Sequence, residues 1–218
     1  MNKEDIKAFS QIPQPPHESM AFIDDLKKPL SYHFAKGTGC PAGEAQDCMK
    51  DGVELQIGFP DSNGSLDTAF LSLRRVLNAK GVAEKAGTYP IHFLFDASLG
   101  QEEYSVAVRA DSCTVKAADV DGMRRGIYFL EDRICEAEGP SATAGEWKRR
   151  PFVKHRISRC FFGPTYRPPF FIDELTNDIN YYPDEYLNKL AHEGINGLWL
   201  TMYFRDLPSS IFPGRGKE

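Results

Sequence analysis

The chain has 218 residues, with 26 Lys plus Arg against 31 Asp plus Glu and a net charge of −5, so it carries no electrostatic footprint for nucleic acid. Hydrophobic residues at 41% and charged residues at 26% match an ordinary globular protein and exclude a disordered one. No apolar run reaches the roughly 20 residues of a membrane helix. The first residues lack the apolar centre of a signal peptide, so a cytoplasmic protein with no membrane contact is expected.

Residues 1–50 show little periodicity and are punctuated by Pro13, Pro15, Pro16 and Pro29. A short helix is expected around Ser19–Lys28, then an irregular loop at 37–48. From residue 52 the signals sharpen. Val53, Leu55, Ile57 and Phe59 alternate with Glu54, Gln56 and Gly58, the period of a half-buried strand. Leu66, Phe70, Leu73 and Leu77 then form one face of a helix, with Ser65 as expected N-cap and Gly81 past its end. Ile91–Phe95 is a short apolar strand. Residues 104–108 and 113–117 alternate around a turn at 110–112, which predicts a hairpin. Met123, Ile127, Leu130 and Ile134 make a second helical stripe.

The sum predicts an α+β fold over residues 51–150, a mainly antiparallel sheet with two helices on one face. Gly139–Gly145 is expected to be a linker or exposed loop. The grammar then changes over residues 151–218. A strand is expected at 152–161, a helix at 183–192 opened by Pro183 and closed by Gly194, and a continuous apolar strand at 197–203 buried on both faces. Strand, helix, strand is one βαβ unit. A complete barrel of eight such units takes about 250 residues, so this is read as a partial βαβ unit of a truncated TIM barrel.

Cofactor signals are weak. Cys40, Cys48, Cys113, Cys135 and Cys160 contain no C-x-x-C pair and are expected to be reduced thiols. His192-Glu193 lacks the second histidine of a zinc helix, and the glycines at Gly37 and Gly39 lack a third. Neither metal nor cofactor is expected.

Two stretches carry a resemblance. Ala117-Ala118-Asp119, Gly122 and Gly126 match the "a-a-d-x-x-G" turn and glycine-bearing helix of the non-catalytic α/β domain in family 20 glycoside hydrolases, the β-N-acetylhexosaminidases. Similar domains precede the barrels of α-glucuronidases. Residues 155–159, 191–196 and 198–201 are similar to the first strand, crossover helix and second strand of that family's barrel. Ile157 stands where the family has glycine, and Met202-Tyr203 follow Thr201 where it has two aspartates.

The resemblance implies a carbohydrate partner and places Arg156 at an arginine that grips sugar hydroxyls. Arg159 lies on the same strand, and Arg205 and Asp206 follow the second one. A guanidinium offers five donors in a planar fork, which suits sugar hydroxyls and carboxylates. The candidate substrate-binding residues are therefore Arg156, Arg159 and Asp206. The competing assignments are a pair with a buried acid for either arginine and a surface ion pair for Asp206. The aromatics Phe161, Phe162, Tyr166, Phe170, Phe171, Tyr181 and Tyr182 fit either a sugar-stacking cleft or plain packing at a barrel rim.

By the same resemblance the catalytic Asp-Glu pair follows a fourth barrel strand, so no catalytic residue is assigned and this segment alone is expected to be inactive. The function expected is the amino-terminal segment of a glycoside hydrolase acting on N-acetylhexosaminides or related glycans. The alternative is a non-enzymatic carbohydrate-binding or structural α/β module. On the truncated-barrel reading the apolar face of Leu198, Leu200 and Met202 is expected to be exposed, or covered by residues 1–50 or by another copy of the chain, and an exposed patch of that kind favours self-association.

Overall fold

The computed structural model describes residues 22–34, 48–160 and 179–201. The chain divides into two compact units, Leu30–Lys154 on one side and Met1–Pro29 with His155–Glu218 on the other.

The first unit is an α/β layer. Its elements are β1 (Val53–Ile57), α2 (Asp67–Ala79), β2 (Tyr89–Phe95), β3 (Tyr104–Val108), β4 (Cys113–Ala117), α3 (Val120–Glu136) and β5 (Gly145–Arg149). The helix α1 (Phe22–Leu26) precedes them within the other unit. The five strands form one sheet in the order β1-β2-β4-β3-β5. The expected antiparallel pairing holds for β3 with β4 and for β3 with β5, whereas β1–β2 and β2–β4 are parallel. The reason lies in the connection. A single helix, α2, joins β1 to its neighbour β2, and a crossover of that kind returns the chain in the same direction.

Register puts Ile91 opposite Cys113, Phe93 opposite Val115, and Val115 opposite Val106, so these side chains share one face. Both helices cover it. Phe70 of α2 meets Phe93 edge-on at 5.0 Å, and Tyr104 meets Phe129 of α3 at 5.8 Å. Phe93, Ile91, Leu73, Leu77, Met123, Ile127, Leu130 and Ile134 are fully buried between sheet and helices. Ser72 and Glu131 join the helices across the core through a 3.4 Å hydrogen bond.

Beyond β3 the core closes at β5, a strand that begins at Gly145, the last residue of the expected linker. Trp147 sits edge-on to Phe129 at 5.4 Å. The guanidiniums of Arg133 and Arg149 lie 4.7 and 4.6 Å from the same ring centre, which suits the ring's negative face.

At α2 the helix start differs from expectation. Ser65 is not the cap of α2. The Asp61 carboxylate instead accepts the N–H groups of Ser65 and Leu66 at 3.0 and 2.8 Å. At α3 the cap is Asp119, whose Oδ1 accepts the Gly122 N–H at 2.6 Å.

In the other unit, β6 (Ile157–Arg159) and β7 (Gly197–Trp199) pair in parallel and are joined through α4 (Asp184–His192). This is the expected βαβ unit, with shorter strands. The expected burial of the second strand on both faces does not occur, since Leu198, Trp199 and Leu200 are all exposed. Met202 and Tyr203 of that expected strand lie outside the described residues.

Candidate functional site

In a βαβ unit the two strands point the same way. The C-terminal ends of β6 and β7 therefore lie together. That end of the unit is the candidate site.

Arg159 is the last residue of β6 and the register partner of Trp199, the last of β7. Both side chains emerge on one face of the pair. Trp199 is 66% exposed, and Arg159 is exposed with no salt bridge to any described residue. One residue further on, the Cys160 N–H donates to the Trp199 carbonyl at 2.9 Å, and the Cys160 Sγ lies 3.5 Å from the Thr201 Oγ1. These contacts extend the pairing past the formal strand ends.

The N-terminal side of α4 adds aromatic surface. Tyr181 is buried and anchors the approach to the helix. Tyr182 and Tyr186 stack at 5.7 Å with 25° between their planes. Burial pushes the Tyr182 phenol above its ordinary value, and the nearby Cys160 thiol and Tyr186 phenol push the same way. Pro183 precedes the helix as its N-cap, a step earlier than expected, and Asp184 and Glu185 occupy the first turn, where the helix dipole favours them.

Arg156 sits at the other end. It precedes β6, and its Nε–H donates to the Gly194 carbonyl at 2.5 Å. Its backbone N–H donates to the Asn196 Oδ1 at 2.9 Å, and the Asn196 N–H donates back to the Arg156 carbonyl at 3.0 Å. Gly194 takes φ 91° to make that turn, a conformation open mainly to glycine. This arrangement fastens the entrance of β7 to the entrance of β6. Of the three arginine and acid candidates, then, Arg159 lies at the C-terminal end, Arg156 lies at the N-terminal end, and Asp206 is outside the described residues. Phe161, Phe162, Tyr166, Phe170 and Phe171 are outside them as well. Sequence reasoning passed over Trp199 as strand filler. Its signal was position, the end of a short strand just after a crossover helix.

Among the described residues no group of three or more His, Cys, Asp or Glu is placed to hold a metal ion. No described helix is long and apolar enough to cross a membrane.

No family model matches this sequence. No curated protein matches it. Solved structures do. A GH138 enzyme targeting pectin rhamnogalacturonan II is similar over 74% of this chain and 20% of its own, with TM-score 0.53 and 19% identity. A family GH115 4-O-methyl-α-glucuronidase with specificity for decorated arabinogalactans is similar over 70% of this chain and 25% of its own, with TM-score 0.51 and 14% identity. A β-N-acetylhexosaminidase from Bacteroides fragilis is similar over 53% of this chain and 24% of its own, with TM-score 0.41 and 23% identity. The fold is glycoside-hydrolase-like. The chain spans about a fifth to a quarter of the length of these solved proteins.

That fold explains why the quoted motif carries weight without carrying chemistry. A Cβ on Gly122 would lie 2.7 Å from the Glu103 carbonyl oxygen, and one on Gly126 would lie 2.6 Å from the Val115 Cγ1. Asp119 holds the turn between them and the sheet: besides capping α3, its Oδ2 accepts the Glu102 N–H at 2.8 Å. Asp119, Gly122 and Gly126 together set how closely α3 lies on β3 and β4. They specify a scaffold.

Proposed function

We propose that this chain is the amino-terminal portion of a glycoside hydrolase acting on N-acetylhexosaminides or related glycans. In this reading β6, α4 and β7 open its (β/α)8 barrel. The observation that carries the reading is the parallel β6–β7 pair with Arg159 and Trp199 side by side at its C-terminal end. Active sites of such barrels form at that end of the strands. An indole stacks on the apolar face of a sugar ring, and a guanidinium fork holds its hydroxyls or a carboxylate.

In the proposal Arg159 and Trp199 contact the glycan, and Tyr182 and Tyr186 flank it from the start of α4. Arg156 is a positioning residue, holding β7 in register so that Trp199 stays beside Arg159. Hydrolysis itself needs a general acid and a second group on the opposite side of the scissile bond, and these are expected on later strands of the parent protein.

The test uses the full-length parent protein. Trp199→Ala and Arg159→Ala should each raise KM for an aryl N-acetylglucosaminide or aryl glucuronide at least about tenfold, the scale of one lost charged or stacking contact. Unchanged kinetics in both variants would overturn the placement of the site. Binding of glycan without turnover by the unaltered full-length protein would favour the carbohydrate-binding module instead.

A further inference from the structure

The α/β unit has a second face that neither the helices nor the proposed hydrolase site uses. Residues that alternate with the core positions point away from α2 and α3, and on β4, β3 and β5 they form two cross-strand rows. One is Lys116–Ser105–Lys148, and the other is Thr114–Ala107–Glu146. The central strand contributes only small side chains, while the flanking strands contribute long ones. The result is a trough of about 370 Å³ along β3, within the volume range of small-molecule sites.

Surface lysines alone only keep a sheet soluble. Here two of them stand on opposite walls, with a serine hydroxyl on the floor between them. Adjacent strands are about 4.8 Å apart, so β4 and β5 stand roughly 9.6 Å apart across β3, a gap that two long lysine side chains can narrow around one anionic group. Their acidic neighbours are Glu103, which Lys148 reaches at 3.5 Å, and Asp96, which feels the charge of both lysines. Lys116 closes no salt bridge with a described residue, and the Asp96 carboxylate is held first by the Ser98 hydroxyl and N–H. In the second row, Arg109 binds Glu146 at 2.6 Å and holds that carboxylate at the β5 wall, opposite the hydroxyl of Thr114. The trough therefore offers a cationic end, hydroxyl and carboxylate groups for hydrogen bonds, and the methyl of Ala107 for an apolar surface.

We infer that the outer face of β4, β3 and β5 binds an acidic glycan, with the carboxylate of a uronic-acid residue between Lys116 and Lys148. A flat pyranose ring can approach Ser105 and Ala107 because neither blocks it. Its hydroxyls face Thr114 and Glu146. A neutral glycan would leave the two ammonium groups with only Glu103 and Asp96 for counter-charge, and a bare anion would leave the hydroxyl-bearing row unused. This inference does not depend on the hydrolase reading, since none of its residues belongs to β6, α4 or β7.

The experiment is calorimetric titration of the 218-residue chain with hexagalacturonate and, separately, with cellohexaose. Hexagalacturonate should bind and weaken as salt is raised, and cellohexaose should bind at least about tenfold more weakly. Lys116→Gln and Lys148→Gln, both at positions that leave the core untouched, should each weaken hexagalacturonate binding at least about tenfold. Ala107→Tyr fills the trough while keeping both lysines and should abolish binding. Absence of hexagalacturonate binding, equal binding of cellohexaose, or binding indifferent to all three substitutions would each overturn the inference. None of these outcomes bears on turnover by the full-length protein.

Discussion

Two glycines and one aspartate decide how α3 meets the sheet. Alanine is the better helix former, and replacing glycine inside a helix ordinarily adds up to about 1 kcal/mol. At Gly126 that gain competes with a contact of 2.6 Å to Val115. Overpacking of a core costs about 1–3 kcal/mol, so Gly126→Ala should lower stability despite the propensity. Gly122→Ala should cost more, because its Cβ would meet the Glu103 backbone oxygen at 2.7 Å and backbone cannot rotate away. Urea denaturation checks both, and a raised midpoint for either would contradict the close-approach argument. Asp119→Ala removes a helix cap and also the acceptor for Glu102, the one described non-glycine residue at positive φ, 53°. Loss of about 1–2 kcal/mol is expected, measured in the same way.

Buried thiols and phenols give the unit a second residue-scale signature. Burial pushes the Cys135 thiol up to about 11 and the Tyr128 phenol up to about 12. In both cases the folded state holds the proton more tightly than the unfolded chain. Their contribution is whole below the ordinary thiol and phenol values and is lost as pH rises through about 11 and 12. The urea midpoint should fall between pH 8 and pH 11, and a midpoint that held constant over that range would refute it.

Among the elements, those with strong periodicity were legible and those defined by partnership were not. The stripes Leu66–Leu77 and Met123–Ile134 located α2 and α3, because a helix in a two-layer fold must bury one face whatever its neighbours. The hairpin of β3 and β4 was legible for a similar reason. Strand direction was harder: β1 alternates as an antiparallel strand would, and only the single helix between it and β2 betrays the parallel return. β5 was hidden by the glycines around 139–145. Its signal is one apolar residue, Trp147, between Glu146 and Lys148, too short for periodicity to register. The helix start at Asp67 was missed because the capping acceptor, Asp61, reaches forward from an earlier turn. At the candidate site the arginines were legible as residue types, but which end of the strand each occupies was not, since an offset of three residues spans almost the whole of β6. Arg156 is testable at this scale. Its side chain and backbone fasten β7 through Gly194 and Asn196, so Arg156→Ala should speed hydrogen exchange at the Asn196 amide, while Arg156→Lys should restore only part of the protection, because lysine lacks the Nε–H. Unchanged exchange in the alanine variant would remove the clamp.

For the whole molecule the two units differ in how well they close. Leu30–Lys154 buries most of its apolar residues between sheet and helices, although Ile57, Leu71 and Phe95 stay about half exposed and Phe152 fully so. The βαβ unit leaves Ile157 57%, Trp199 66% and Leu200 45% exposed, and its described sheet has two strands. Two parallel strands make one wall. Most glycosidases hold two carboxyl groups about 5–9.5 Å apart across the bond to be broken, and substrate-assisted ones still need a general acid and a second carboxylate aimed at the same sugar, fixed on rigid elements to within about 0.5 Å. One wall cannot bracket a sugar in that way, so the 218-residue chain should not hydrolyse aryl N-acetylglucosaminides or aryl glucuronides. The same exposed apolar surface favours contact with another copy. Sedimentation velocity should therefore show association that grows with concentration, and Trp199→Ser together with Leu200→Ser should reduce it without unfolding the α/β unit, whose core they do not enter. The two measurements bear on one another. A chain that stays monomeric and inactive would refute the proposed association but leave the catalytic argument standing. A chain that turns over substrate as fast as the full-length protein would refute the assignment of catalysis to strands beyond β7.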